Sequence, residues 1–281
     1  MAGEVELGWA DMRDGVVLRA RAWRRDTALP ARAAVLLVHG LGEHAGRYDH
    51  VARQLNGWGF DVHAYDHFGH GESPGKRGTL TSAQRLLDDL ADMVDRVRGS
   101  MPREQPLLLL GHSMGGVLAA DFVGSDIRAV EGLVLSSPAL DAGMNPLQRG
   151  LAAALARLWP GLAIGNGLPA DRISHDPAEV AAYRSDPLVH DRISGRLAHY
   201  IATAGPRVLA QAAAWRVPTL LLYAGADRLV DPAGSRRFAS LAPRDVATAR
   251  EFPGHYHELF NEIERAQVFD ALRAWLDARF P

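Results

Sequence analysis

A serine, two candidate aspartates and two closely spaced histidines have the types and the chain order that nucleophilic catalysis needs. Ser113 lies at the centre of Gly111-His112-Ser113-Met114-Gly115, directly after four leucines. A serine hydroxyl is a weak nucleophile until a histidine takes its proton, and that histidine is oriented by a carboxylate. The chain could therefore perform acyl transfer if its fold brings a histidine and an acid to Ser113.

The residues around Ser113 predict a sharp turn between a strand and a helix. Leucines 107–110 predict a buried strand, and GGVLAADFVG from residue 115 onward predicts a helix. In such a turn the backbone two residues before and after the serine is crowded, and glycine lacks the side chain that would clash. The serine could instead be a simple helix cap, but the strand before it favours a nucleophile.

Two aspartates compete for the role of the acid. In this arrangement the acid and the histidine follow the serine along the chain, each after a later strand. Asp227 ends the apolar run 218–227, where such an acid is required. Asp231 precedes Pro232 and a helical pattern, so an N-cap explains it better. We therefore predict Asp227 as the orienting acid.

Two histidines remain open for the role of the base. Among the 12 histidines, only His255 and His257 lie between the last predicted strand and the last predicted helix. They alternate about Tyr256, and the residues alone do not separate them. For the oxyanion, we predict the backbone N–H groups of Met114 and of Leu41, the latter in the loop after the strand over 33–40.

Short apolar runs alternate with helical patterns along most of the chain. Buried strands are predicted over 33–40, 60–66, 106–112, 130–137 and 218–227. One helix is predicted from the apolar spacing in TSAQRLLDDLADMVDRV, with Thr81 and Ser82 as capping candidates. The last helix carries a stripe that predicts core packing, formed by Val268, Leu272, Trp275 and Leu276. This alternation predicts an α/β fold with a mostly parallel sheet covered by helices on both faces.

One stretch interrupts the alternation. Residues 140–211 give helical and loop signals with no convincing strand, so we expect a helical insertion over the edge of the sheet. The expected organisation is a core over residues 1–139, a helical cap over 140–211 and the second part of the core over 212–281.

Composition excludes several classes of function. With 31 Lys and Arg against 33 Asp and Glu, the chain is near neutral, so a nucleic-acid partner is not expected. The absence of cysteine excludes disulfides, thiolate metal sites and a cysteine nucleophile. The N-terminal residues lack the basic and apolar runs of a signal peptide, and no segment is apolar for long enough to span a bilayer. We expect a soluble, cytoplasmic protein.

Six stretches together resemble the monoacylglycerol lipase and lysophospholipase-like branch of the α/β-hydrolases. They are HGLGEHAGRY (39–48), YDHFGHGES (65–73), GHSMGG (111–116), YRSDPLVH (183–190), GADRLVDP (225–232) and YHELFNE (256–262). GHSMGG is common to many serine hydrolases, whereas Gly-Glu-His-x-x-Arg-Tyr and Ser-Asp-Pro-Leu are more particular.

The resemblance implies a role for each matched residue. It implies Ser113 as nucleophile, Asp227 as acid and His257 as base, and the amides of Leu41 and Met114 as the oxyanion hole. It also implies an eight-stranded, mostly parallel sheet with a helical cap, and no metal or organic cofactor. The remaining matched residues are expected to shape loops or to be structural: His39, Glu43, His44, Arg47, His67 and His70.

The same resemblance implies a substrate class. The expected reaction is hydrolysis of fatty-acid esters, monoacylglycerols above all, through an acyl-enzyme. Lysophospholipids, short-chain carboxylic esters and thioesters are alternative substrates, and a non-catalytic ligand-binding homologue is a more remote alternative. In the family the cap forms an acyl tunnel that can contact a lipid surface. One apolar row would suit that contact and consists of Leu147, Leu151, Leu155, Leu158 and Trp159. The interpretation that we favour is that this row packs the cap onto the core.

Overall fold

The computed structural model describes residues 2–25, 27 and 29–281 of the chain. The strands are β1 (Ala2–Asp11), β2 (Val17–Arg25), β3 (Ala33–Val38), β4 (Phe60–Tyr65), β5 (Leu107–His112), β6 (Gly132–Ser136), β7 (Ala163–Gly165), β8 (Arg192–Ser194), β9 (Thr219–Ala224) and β10 (Ala247–Phe252). The helices are α1 (Asp49–Gly57), α2 (Arg85–Ser100), α3 (Ser113–Gly124), α4 (Pro146–Leu158), α5 (Pro177–Ser185), α6 (Gly195–Gln211), α7 (Pro232–Leu241) and α8 (Ala266–Arg279).

One large sheet organises the fold. Within the described residues it has eight strands in the order β1-β2-β4-β3-β5-β6-β9-β10. β1 and β2 pair antiparallel, as do β2 and β4, and every pair from β4 to β10 is parallel. The mostly parallel, eight-stranded sheet expected from the sequence is confirmed.

The central strands divide their side chains between two hydrophobic cores. Leu36 and Leu109 belong to the core that includes buried residues of α2, α3 and α6. Val35 and Leu108 belong to the core that includes buried residues of α1 and α8. Because helices cover both faces, β3, β5, β6 and β9 are buried along their whole length, which explains their continuous apolar sequences.

Three strands of the large sheet were not predicted from the sequence. β1 and β2 form an antiparallel hairpin at one side of the sheet, and β10 forms the other edge. An edge strand faces solvent, so its sequence is polar and lacks a continuous apolar run. In β10, for example, three central residues are exposed and only Phe252 is buried.

The predicted helices agree with the structure in their packing but not in every cap. The apolar stripe of α8 is buried, as predicted. The capping prediction for α2 is wrong, because Thr81 and Ser82 lie before the helix and the N-cap is Gln84, which makes no side-chain cap bond. The first turn is held instead by the buried guanidinium of Arg85, which donates to Asp89 over 2.8 Å.

The segment between β6 and β9 contains α4, α5 and α6. The expectation that it has no strand is wrong, because β7 and β8 form a small antiparallel sheet within it. Each of these strands has three residues, too few to give a periodic signal. The proposed boundaries at 140 and 211 stay a prediction.

The apolar row on α4 is largely exposed. Leu147 is 82% exposed, Leu151 is 56% exposed, and Leu158 and Trp159 are each 60% exposed. The interpretation that the row packs the segment onto the core is therefore wrong for these four residues. Among the described residues, no helix is both long and apolar enough to cross a membrane. The cytoplasmic location stays a prediction.

The turn from β5 to α3 leaves no room for a side chain at either of its two flanking glycines, Gly111 and Gly115. A Cβ atom on Gly111 would collide with the carbonyl of Gly115, and one on Gly115 would collide with the carbonyls of Val38 and His39. Ser113 itself has a φ of +54°. This left-handed conformation costs a residue with a side chain ~1–2 kcal/mol, and β5 and α3 hold it in place from either side.

This crowding predicts contrasting effects of adding a methyl group to two glycines. Gly115→Ala should lower the free energy of unfolding by about 1–3 kcal/mol, because a backbone clash cannot be relieved by a rotamer change. Gly150→Ala, at an open position in α4, should leave stability unchanged or raise it by up to about 1 kcal/mol. Urea unfolding followed by circular dichroism measures both, and equal stability of the two variants would contradict the expected clash.

Candidate active site

Ser113 lines a cavity at the carboxyl ends of the parallel strands. The cavity wall also includes Gly40 and Leu41, which follow β3, and His257, which lies beyond β10. A methyl group on Gly40 would lie 3.3 Å from Ser113 Cβ, so the loop after β3 passes close to the serine. The fold thus brings these predicted site residues to one end of the sheet.

Asp227 and His257 form a short hydrogen-bonded pair. His257 Nδ1 lies 2.6 Å from Asp227 Oδ2, and both side chains are buried. Asp227 Oδ1 accepts from the backbone N–H groups of Leu229 and Val230, at 2.8 and 3.1 Å. These two bonds orient the carboxylate so that its other oxygen faces the imidazole. Nε2 of His257 is then the ring nitrogen left to exchange a proton.

The electrostatics of this pair favour the charged forms. Burial alone would raise the pKa of Asp227, but His257 and the two backbone N–H groups hold that pKa below its ordinary value. Burial alone would lower the pKa of His257, but Asp227, followed by Glu258 and Glu43, holds it above its ordinary value. The imidazole is therefore a stronger base than a free histidine.

The structure also separates the alternatives that the sequence left open. His257, and not His255, is the histidine bonded to Asp227. His255 packs its ring against Phe252, with 5.1 Å between the ring centroids. Asp231 is the N-cap of α7, where its side chain accepts from Ala233 N at 2.8 Å.

Two backbone N–H groups are candidates for binding an oxyanion, because Leu41 lines the cavity and Met114 directly follows Ser113, which also lines it. Among the described residues, neither Leu41 N nor Met114 N has a protein acceptor within hydrogen-bond distance. The neighbouring N–H of Gly40 is already used, because it donates to Glu43 Oε1 at 2.6 Å. The first turn of α3 adds the partial positive charge of its N-terminus at Met114. This pair of donors could bind a developing oxyanion.

A buried ionic cluster borders the same cavity. We call it the Glu43–Arg47–Glu258 cluster. Arg47 donates through one nitrogen to both carboxylates and through its second terminal nitrogen to Glu258, each over 2.7 Å. The three side chains are at most 9% exposed. Burial alone would raise the pKa of Glu258, but Arg47 outweighs burial and holds it well below its ordinary value.

Two further donors complete the cluster. Tyr48 Oη–H donates to Glu43 Oε1 at 2.6 Å, and Asn261 Nδ2–H donates to Glu258 Oε2 at 2.7 Å. Glu43 and Arg47 were expected only to shape their loop, and Glu258 was not singled out from the sequence. The available signal for Glu258 was its position directly after the candidate base.

The other histidines of the matched motifs hold loops together. His39 Nδ1 lies 2.8 Å from the carbonyl of Gly40, and its Nε2 accepts from His67 N at 3.0 Å. His44 Nε2 lies 2.8 Å from Asp186 Oδ2. His70 contacts the ring of His190 at a centroid distance of 4.7 Å. No group of side chains suited to a metal ion occurs in the described part of the chain.

The segment between β6 and β9 is attached to the loops on both sides of the cavity. On the side of Leu41, His190 N donates to the carbonyl of Gly42 at 2.8 Å. On the side of His257, Glu258 N donates to the carbonyl of Ile173 at 2.8 Å. Leu168, Pro169 and Ala170 of the same segment line the cavity. The cavity wall and the two loops therefore form one hydrogen-bonded unit.

The Asp227–His257 pair predicts a difference between two isosteric variants. Asp227→Asn should lower the pKa of His257, because it removes the strongest charge that favours the imidazolium. Asp231→Asn keeps a capping residue of similar quality and should leave that pKa unchanged. Titration of the His257 ring by NMR measures both, and an equal shift in the two variants would contradict the assignment of Asp227.

Comparisons with known proteins agree with this architecture. The Hydrolase_4 family model, described as serine aminopeptidase, S33, matches residues 30–264. The monoacylglycerol lipase of Mycolicibacterium smegmatis is 37% identical over 265 residues, which cover 93% of each chain. Phospholipase YtpA of Bacillus subtilis is 30% identical over 91% of this chain and 98% of its own.

A solved structure extends the similarity to three dimensions. The crystal structure of Paleococcus ferrophilus monoacylglycerol lipase is 36% identical and superposes with a TM-score of 0.84, over 93% of this chain and 99% of that one. The fold, the family match and these relatives together show that the chain belongs to the serine hydrolases of the α/β-hydrolase fold, in the branch that includes the monoacylglycerol lipases.

Proposed function

We propose that this protein hydrolyses carboxylic esters of fatty acids, monoacylglycerols above all, through an acyl-enzyme intermediate. The observation that carries the proposal is the 2.6 Å bond between Asp227 Oδ2 and Nδ1 of His257, the histidine that lines the same cavity as Ser113. A serine, a histidine with a raised pKa and an orienting carboxylate are the groups that acyl transfer requires.

The reaction has two halves that share the same groups. Ser113 Oγ attacks the ester carbonyl while His257 Nε2 takes its proton, and the N–H groups of Leu41 and Met114 bind the oxyanion. His257 returns the proton to the leaving alcohol as the carbon–oxygen bond breaks, which leaves the acyl group on Ser113. Water then attacks the acyl-Ser113 ester while His257 takes a proton from the water. His257 returns this proton to Ser113 Oγ as the bond between the acyl carbon and that oxygen breaks, which releases the fatty acid.

The cavity has an apolar wall suited to an acyl chain. Leu168, Ala170 and Ile173 line it from the segment between β6 and β9, and Leu41 and Leu229 line it from the core. A monoacylglycerol combines such a chain with a small polyol, and lipases named for that substrate are among the relatives described above. A lysophospholipid is the second candidate, supported by the relative named as a phospholipase.

We also propose that residues 140–211 act as a cap that contacts lipid surfaces. The supporting observation is the exposed apolar row that Leu147, Leu151, Leu158 and Trp159 form along and just after α4. Contiguous exposed apolar side chains of this kind mark interaction sites in otherwise polar surfaces. Contact would bring the cavity close to amphiphilic substrates.

The assignment of the nucleophile predicts the effect of removing one oxygen atom. Ser113→Ala should lower kcat for a medium-chain monoacylglycerol by about 10⁴- to 10⁶-fold, and it should abolish covalent labelling by a fluorophosphonate probe. Thermal unfolding should change little, since no core volume is lost. Ser240→Ala, at an exposed serine of α7, is the matched control and should retain full activity. Retained labelling in Ser113→Ala would refute the assignment.

The raised pKa of His257 predicts the pH dependence of hydrolysis. The base must be neutral to accept a proton, and kcat/KM reports the free enzyme. Because the pKa of His257 lies above 6.5, kcat/KM for a neutral ester should fall as the pH drops through a midpoint above 6.5. A pH series on a monoacylglycerol measures this midpoint, and a midpoint well below 6.5 would contradict the base assignment.

A further inference from the structure

The charges of the Glu43–Arg47–Glu258 cluster do not cancel. Two carboxylates face one guanidinium, so one negative charge is left without a cation. Buried charges are normally paired because removing an ion from water is costly. Both carboxylates border the cavity, and in the steps proposed above they act only by raising the pKa of His257. The uncompensated charge also faces any part of a substrate that enters this side of the cavity.

The cluster lies beside the position of the reacting ester. A methyl group on Gly40 would lie 2.8 Å from Glu43 Oε1 and 3.3 Å from Ser113 Cβ, so these two side chains flank the same point of the backbone. Glu258 directly follows His257 in the chain. We call the part of the cavity lined by these two carboxylates, His112 and Tyr183 its polar end. The ring of Tyr183 lies 4.7 Å from the guanidinium carbon of Arg47, which pairs with both carboxylates.

Two further ionisable neighbours, His112 and Asp227, do not offset the charge. Burial lowers the pKa of His112 to about 4, so its ring is neutral near pH 7. Asp227 adds another negative charge, which His257 offsets only while it is protonated. Both terminal nitrogens of Arg47 already donate to carboxylates. A phosphate that entered this end of the cavity would find Arg47 already bonded to Glu43 and Glu258. It would also lie close to an excess of negative carboxylate charge.

We propose that Glu258 is a specificity-determining residue that selects esters of neutral polyols against esters whose alcohol carries a phosphate. The inference rests on the ester hydrolysis proposed above and deepens it. The acyl chain packs against the apolar wall of the cavity, so the alcohol part of the ester lies at the polar end. There the hydroxyls of a polyol can donate hydrogen bonds to the carboxylates, whereas a phosphate anion is repelled by the charge that Glu258 adds.

The test compares two acyl-matched esters, 1-lauroylglycerol and its 3-phosphate, as monomers at pH 8. Glu258→Gln keeps the shape of the side chain and removes the charge. It should raise kcat/KM for the phosphate ester relative to the neutral ester by roughly 10- to 100-fold, as expected for one charge about 6 Å away at an effective dielectric constant of about 20. Glu258→Asp keeps the charge and should keep the wild-type ratio.

A matched control separates this local effect from the overall charge. Glu264→Gln makes the same change at an exposed position six residues further on, and the ratio should stay at the wild-type value. If Glu258→Gln does not fold, Glu43→Gln removes the same charge from the other side of Arg47 and should shift the ratio in the same direction. Fluorophosphonate labelling of Ser113 verifies that each variant has a working site.

A second readout distinguishes charge from shape. Glu258 helps to raise the pKa of His257, so Glu258→Gln should move the acid limb of kcat/KM for 1-lauroylglycerol to lower pH. A residue with a merely structural role would lower the activity toward both esters equally and leave this limb in place, and that result would overturn the inference. Wild-type protein that hydrolyses neither ester would overturn the proposed function itself.

Discussion

The site depends on how closely the turn between β5 and α3 approaches the end of β3. No side chain separates the two backbone segments at this point. Gly115 packs against the carbonyls of Val38 and His39, which end β3 and begin the loop that carries Leu41. The same contact therefore fixes the serine, the start of α3 and the position of the second N–H donor. Had a side chain separated the end of β3 from the first turn of α3, Ser113 and Leu41 could not have lined the same cavity.

Much of the architecture could be predicted from the sequence because the central strands are buried on both faces. Such strands have continuous apolar sequences, and Asp227 was proposed as the acid because it ends one of these runs. The edge strands were missed because solvent contact leaves no such run, as in β10. His255 and His257 could not be separated, since the choice depends on which ring reaches a carboxylate about 30 residues away and no local pattern encodes that distance.

Buried charge was the least predictable part of the site. Arg47 and Glu258 are 211 residues apart in the chain, so neither predicts the other. The ion pair forms because the loop after β3 and the loop after β10 meet at the same end of a parallel sheet. The carboxylates that Arg47 holds there, Glu258 and Glu43, then act together with Asp227 to raise the pKa of His257. The pKa of the proposed base therefore depends on the topology, because the topology brings these loops together.

The attachment of the segment between β6 and β9 to both loops has a consequence for how substrates are discriminated. The carbonyl of Gly42, next to Leu41, accepts from His190, and Ile173 accepts from the N–H of Glu258, next to His257. In the proposed reaction, an ester that fits poorly beneath this segment would displace the cavity wall and, through the same hydrogen bonds, the loops that carry Leu41 and His257. A mismatch in a remote part of such an ester would then lower the turnover number as well as the affinity.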